Sequence, residues 1–169
     1  MTAMRSGPYP DENAFAWALC TWLTSLGWSC WREVGLHNGS LDVLALDTDG
    51  TSHAIEAKLA DYRKVTWQVR CHDLYCDRVA IAMPKVKPPT HWTEQWAGRG
   101  YGYVCPEGWL LSPRPSTLKL SFCEALVLGV RDRRPAFPDD NRLLDSFLPE
   151  GWGYRPLPAG WDWEREKWR

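Results

Sequence analysis

Two short apolar runs, residues 41–46 and 52–59, are joined by Asp47-Thr48-Asp49-Gly50-Thr51, and they carry three charges in their interior: Asp42, Glu56 and Lys58. An Asp-Gly pair between apolar runs is a strong hairpin signal, since the glycine accepts the left-handed backbone that closes such a turn. Side chains two apart in a strand share a face, so Glu56 and Lys58 point the same way. Burying a charge among Val, Leu, Ile and Ala costs several kcal/mol, roughly, unless it is paired. The pattern therefore demands mutual pairing, a metal ion, or both. Opposed residues in an antiparallel pair have a constant index sum, and Asp42 opposite Glu56 fixes that sum at 98. A loop of odd length satisfies it, either Thr48-Asp49-Gly50 or the five residues 47–51. A loop of two or four residues turns Asp42 to the other face unless a bulge restores it. The spacing predicts an odd loop or a bulge.

The rest of the chain places this hairpin in a mixed α/β order. Ala14, Phe15, Ala18, Leu19, Trp22, Leu23 and Leu26 recur at helical spacing, with Asp11 as N-cap and Gly27 as C-terminal stop. A strand at 29–34 and a turn at His37-Asn38-Gly39 lead into the hairpin. Residues 61–75 read as a second helix and 78–83 as a strand stopped by Pro84. A short helix near 93–97 and a strand pair at 101–105 and 109–112 follow. The order is α-β-β-β-α-β, then a smaller β pair. Residues 1–112 are expected to form the core and 113–169 a Trp- and Pro-rich, partly helical extension packed on it, with helices at 118–130 and 141–147.

At 169 residues and 44% hydrophobic content the chain suits one domain with a real core. No run is apolar enough to span a membrane and no secretory signal is evident, so a cytoplasmic protein without membrane contact is expected. Six cysteines without a CxxC pair then read as reduced, mostly buried thiols. Cys71-His72 with Cys76 is poor zinc geometry within one helix. The net charge of −1 hides a distribution: residues 1–60 hold three basic and seven acidic side chains, and 61–100 hold seven basic and four acidic. An acidic pocket beside a basic surface suits a metal-dependent enzyme acting on a polyanion.

Asp42 and Glu56, helped by the Ala57 carbonyl, offer hard oxygen ligands for Mg²⁺, with Mn²⁺ as a substitute. Such an ion activates water and neutralises charge on a phosphate, and Lys58 would orient the water or stabilise the transition state. Asp42 followed by Glu56-Ala57-Lys58, within α-β-β-β-α-β, resembles the PD-(D/E)XK nuclease superfamily with its restriction-endonuclease-like fold. The resemblance covers roughly residues 12–112. It implies metal ligation by the positions of Asp42 and Glu56 and catalysis by that of Lys58. It also implies a first-helix glutamate as a further metal ligand, for which Glu12 is the nearest, and a catalytic glutamine after the lysine, which Gln68 matches. Leu41 stands where the motif usually has proline. Asp61-Tyr62-Arg63-Lys64, Tyr75-Cys76-Asp77-Arg78 and 80–84 are in addition similar to the MmcB family of DNA-repair endonucleases.

The function expected is hydrolysis of DNA phosphodiesters, in repair, recombination or mobile-element processing. Arg63, Lys64, Arg70, Lys85 and Lys87 are the expected backbone contacts along one groove. Trp67, Trp92 and Trp96 are candidates for stacking on bases. Glu33 either lines the pocket or is exposed. A nuclease this small reaches both strands by pairing with a second copy, so a homodimer is compatible with this reading. The competing readings are a non-catalytic nucleic-acid- or protein-binding module of the same fold and a Trp-rich interaction protein of a phage or mobile element.

Overall fold

The computed structural model describes residue 4, residues 8–36 and residues 39–117. Its first helix, α1 (Glu12–Ser25), is capped at Asp11, whose Oδ1 accepts from Ala14 N at 2.7 Å. It ends where Gly27 N–H donates to Thr24 O and Trp28 N–H to Leu23 O, with Gly27 at φ +87°. This pair of bonds is a Schellman closure, which needs the left-handed residue that glycine supplies.

The strands β1 (Ser29–Leu36), β2 (Gly39–Leu46), β3 (Ser52–Ala57), β4 (Arg78–Ala82), β5 (Gly102–Cys105) and β6 (Gly108–Leu111) form one sheet in sequential order. The β1–β2, β2–β3 and β5–β6 pairs are antiparallel, whereas β3–β4 and β4–β5 are parallel. Parallel neighbours need crossovers, supplied by α2 (Tyr62–His72) and α3 (Thr90–Arg99). The mixed sheet with flanking helices is the architecture expected from the sequence.

Both faces are covered. α1 packs Phe15, Leu19 and Leu23 against Val43, Ala45, Ile55 and Ala80. α2 and α3 pack Val65, Val69 and Trp96 on the other face, against Leu44, Ile81 and Tyr103. Strands buried on both faces become continuous apolar runs, and β3 is buried at all six positions. A polar residue inside such a strand therefore stands out.

Two details differ from expectation. Trp96 is fully buried, stacked on Tyr103 at 5.3 Å, and its Nε1 donates to Thr66 Oγ1 at 2.7 Å. It is a core residue and offers no face to a base. The third helix is longer than 93–97 because Pro88-Pro89 opens it rather than merely preceding it. Residues 114–116 tie back onto the core, with Arg114 N–H donating to Gly100 O and Ser116 N–H to Asp77 O. The expected helices at 118–130 and 141–147 and the Trp-rich stretch lie outside the described residues. Among the described residues no helix is long and apolar enough to cross a membrane. Their cysteines, at 20, 30, 71, 76 and 105, form no disulfide among the described residues, and all but Cys71 are buried.

His53 is buried on β3, its ring tilted against that of Trp28 at 4.6 Å, with Nε2 at 3.1 Å from Asp47 Oδ2. Burial holds its pKa below the ordinary 6.5 despite the Asp47 contact. A depressed value means that the unfolded chain takes up the proton more readily. Stability is then fully present above about pH 6.5 and declines as pH falls through that range. His53→Phe keeps a ring in place and removes the titration. Its melting temperature should fall less than that of the wild type between pH 7.5 and 5, and equal falls would contradict this assignment.

Candidate active site

The β2–β3 register is Val43↔Ile55, Leu44↔Ala54, Ala45↔His53 and Leu46↔Ser52. Every pair sums to 98, so the loop is odd. Thr48-Asp49-Gly50 closes it with Gly50 at φ +81°, and Asp47 N–H donates to Thr51 O across its base. Asp47 Oδ1 accepts from the amides of Asp49 and Thr51, which fixes the turn further.

The ladder then breaks at one residue. On the β1 side the pairs Arg32↔Val43 and Val34↔Leu41 flank a gap at Glu33 and Asp42. On the β3 side pairing with β2 stops at Val43↔Ile55, although β3 continues along β4 to Ala57↔Ala82. Asp42 is thus the one residue of β2 without a strand partner on either side. Its carboxylate takes over the role of a neighbouring strand, accepting from Ala57 N–H at 2.9 Å. Opposite it, Glu33 has φ +49°, a left-handed conformation that costs a non-glycine residue roughly 1 kcal/mol or more.

Around this break the structure brings together Glu12, Asp42, Glu56 and Lys58. Lys58 Nζ lies 3.0 Å from Glu12 Oε2, 3.2 Å from Glu56 Oε1 and 3.6 Å from Asp42 Oδ2. The side chains grade from solvent to core: Glu12 is 47% exposed, Asp42 20% and Glu56 fully buried. A cleft of about 570 Å³ reaches the lysine between the start of α1 and the start of α2, with Glu12, Asp61 and Lys64 on its walls. Glu56 Oε1 is buried, has no aligned hydrogen-bond donor among the described residues, and lies against the Lys58 ammonium at 3.2 Å.

The two inner carboxylates are driven apart in acidity. Burial and the neighbouring Glu56 charge push Asp42 up to about 7, more than Lys58 and the Ala57 amide pull it down. Burial also acts to raise Glu56, but contacts from His72 and Lys58 outweigh it and keep its carboxyl below the ordinary range. Burial works against the Lys58 ammonium, yet Asp42, Glu12 and Glu56 together hold its pKa above the usual lysine value. One carboxylate at about 3 Å contributes about 5 kcal/mol of attraction at an effective dielectric of about 20, comparable with the several kcal/mol lost by desolvating an ion. Three such contacts keep the lysine charged.

Other sequence candidates are more dispersed. Gln68 is partly buried on α2, and its Oε1 lacks a hydrogen-bond partner among the described residues. Lys64 lines the cleft, and Lys85 stands over the Tyr62 ring at 5.7 Å. Arg63 and Lys87 are exposed. Arg70 is in the last turn of α2 and acts on Asp73 and Tyr101, so it stands apart from Lys64 at the other end of the helix. Trp92 is half-buried between Tyr62 and Trp96, both at about 6.2 Å. Trp67 is half-buried on α2, and Glu33 is half-exposed beside Arg32.

Sequence reasoning missed His72, whose Nε2 lies 3.0 Å from Glu56 Oε2. The available signal was its helical spacing with Val65 and Val69, which puts a histidine on the face that covers β3. Among the described residues no three His, Cys, Asp or Glu side chains converge as a metal-binding group. The lysine ammonium stands between the acids instead.

The raised Asp42 value has a consequence for stability. A carboxyl raised in the folded state contributes stability below about pH 3.8 that is lost as pH rises through about 7. Asp42→Asn keeps an acceptor for Ala57 N–H without the charge. At pH 8 the metal-free variant should be the more stable by on the order of 1 kcal/mol or more, with the difference shrinking toward pH 4. A less stable variant at pH 8 in thermal melts would contradict the charge balance described.

No family model matches the chain, and no curated protein matches it. Among solved structures it is similar to the SPO1766 protein of unknown function from Silicibacter pomeroyi, with TM-score 0.50 and 15% identity over 63% of this chain and 73% of that one. A repair endonuclease from Pyrococcus abyssi gives TM-score 0.43 at 16% identity over 60% of this chain, and an EndoMS–dsDNA2 complex gives 0.42 at 18% over 63%. The chain spans about half the length of those two proteins, 50% and 49% respectively.

Proposed function

We propose that the chain is a divalent-metal-dependent nuclease acting on DNA. The observation that carries this reading is the set of Asp42, Glu56 and Lys58 at the point where β2 loses its pairing with both neighbouring strands. A structural ion pair alone would not require the ladder to open on both sides of Asp42. Nor would it require a second carboxylate so close that burial and repulsion raise the first to about 7.

The donors suit Mg²⁺ or Mn²⁺, which need only one or two protein carboxylates and retain water. Asp42 and Glu56 would hold the ion with the Ala57 carbonyl, and the buried, hydrogen-bond-free Glu56 Oε1 is an oxygen suited to it. When bound, the ion supplies Lewis acidity toward a phosphoryl oxygen and toward water. Lys58, held charged by its neighbours, places a positive charge where negative charge develops on the phosphate. Glu12 anchors the lysine from the cleft mouth. Lys64 on the cleft wall and Lys85 over the Tyr62 ring would neutralise backbone phosphates. Arg63 and Lys87, both exposed, would add further backbone contacts, whereas Arg70, in the last turn of α2, would reach DNA only at a second point.

The test is incubation with single-stranded, duplex and branched DNA in Mg²⁺ or Mn²⁺. Wild type should cleave at least one form. Lys58→Ala should lose on the order of 10²–10³-fold in rate while keeping its DNA affinity. Lys64→Ala should weaken binding alike across sequences and lower the salt slope by about 0.7–0.9. A pure wild type that leaves every form intact with both ions would replace this reading with the binding module of the same fold.

A further inference from the structure

His72 closes α2 on the face that Val65, Thr66 and Val69 turn toward the sheet, and it is 4% exposed. Val65 and Val69 of that helix belong to the apolar cluster that also holds Leu44 and Ile81, and Ile81 is the β4 partner of Glu56. A leucine would fill such a position without a desolvation cost. The histidine ring makes one polar contact, Nε2 to Glu56 Oε2 at 3.0 Å, and Nδ1 has no partner among the described residues. The ring is therefore held by packing and directed at a single carboxylate oxygen, for which Nε2 must carry the hydrogen.

The two oxygens of Glu56 thus have different surroundings. Oε2 is engaged by a ring fixed in a packed helix. Oε1 is buried without a hydrogen bond and faces Lys58. A glutamate carboxyl otherwise rotates in a broad, two-fold well about its last torsion. We infer that His72 is a positioning residue, whose Nε2–H holds one oxygen of Glu56 so that the other is presented to the Lys58 side as a single metal-binding oxygen. This rests on the nuclease reading, in which Glu56 is a ligand. It adds an outer residue that sets ligand orientation, a class whose loss costs about 10–100-fold in metal affinity or activity.

The probe is the metal alone. Full-length, metal-free wild type, His72→Leu and His72→Gln are titrated with Mn²⁺ and Mg²⁺ by calorimetry, with thermal melts and circular dichroism alongside. His72→Leu should bind Mn²⁺ about 10–100-fold more weakly. His72→Gln carries an N–H at a similar reach and should recover most of the affinity. DNA cleavage should follow the metal affinity in both variants, and added Mn²⁺ should restore part of the His72→Leu rate. A merely structural histidine predicts a lower melting temperature with unchanged metal affinity, so a folded His72→Leu within two-fold of wild type overturns the inference. If His72→Leu does not fold, His72→Asn replaces it. Its shorter amide should bind metal more weakly than His72→Gln, and equal affinities overturn the inference. Wild type that binds metal and cleaves DNA alongside an unaffected His72→Leu removes the positioning role alone. Wild type that binds neither ion removes the nuclease reading with it.

Discussion

The structure depends on the backbone pairing that β2 gives up at Asp42. Successive residues of a central strand ordinarily satisfy their amides and carbonyls through alternate neighbours, and leaving buried groups unpaired costs free energy. β2 is paired on at least one side at every other position from Gly39 to Leu46. At Asp42 the side chain stands in for the missing neighbour by accepting the Ala57 amide. Opposite, Glu33 adopts a left-handed backbone while the register continues unchanged beyond it. Strain of this kind persists only where the surrounding structure over-determines it. Here the surroundings are two packed layers of helix, one on each face of the sheet.

The electrostatic consequence is a site whose parts depend on one another. Lys58 remains charged because three carboxylates surround it. Glu56 remains ionised in a fully buried position because Lys58 and His72 hold it. Asp42 bears the cost, raised toward neutrality by burial and by Glu56. Two titratable groups with acidities pushed apart by their environments is the pattern that acid–base and metal sites share. The cleft opens on the Glu12 side, with Asp11, Asp61 and Lys64 on its walls and the nearly buried Lys58 behind them.

Much of this was legible in the sequence because it follows from short-range rules. The index sum of the hairpin, the Asp11 cap and the Gly27 stop each depend on a few neighbouring residues, and each is found in the structure. Alternation of Glu56 and Lys58 with Ile55, Ala57 and Leu59 put both charges on one face of an otherwise apolar strand. What was not legible depends on which helix covers which face. The His72 contact with Glu56 needs α2 to lie over β3, and helical spacing alone could not choose between a core histidine and a site residue. Trp96 was misread for a similar reason: its place beside Lys85 and Lys87 in sequence suggested a basic surface, whereas α3 turns it onto Tyr103 and Thr66. The strain at Glu33 left no trace in composition, because a glutamate in a strand carries no mark of positive φ.

The central claim is that the acids around Lys58 form a cation site rather than a buried salt bridge. Crystals of the wild-type protein grown with Mn²⁺ test it directly through anomalous scattering at the manganese edge. The account predicts a peak in contact with both Asp42 and Glu56. Well-ordered side chains at 42, 56 and 58 in millimolar Mn²⁺, with no peak between the carboxylates and Lys58 still bridging them, would contradict it.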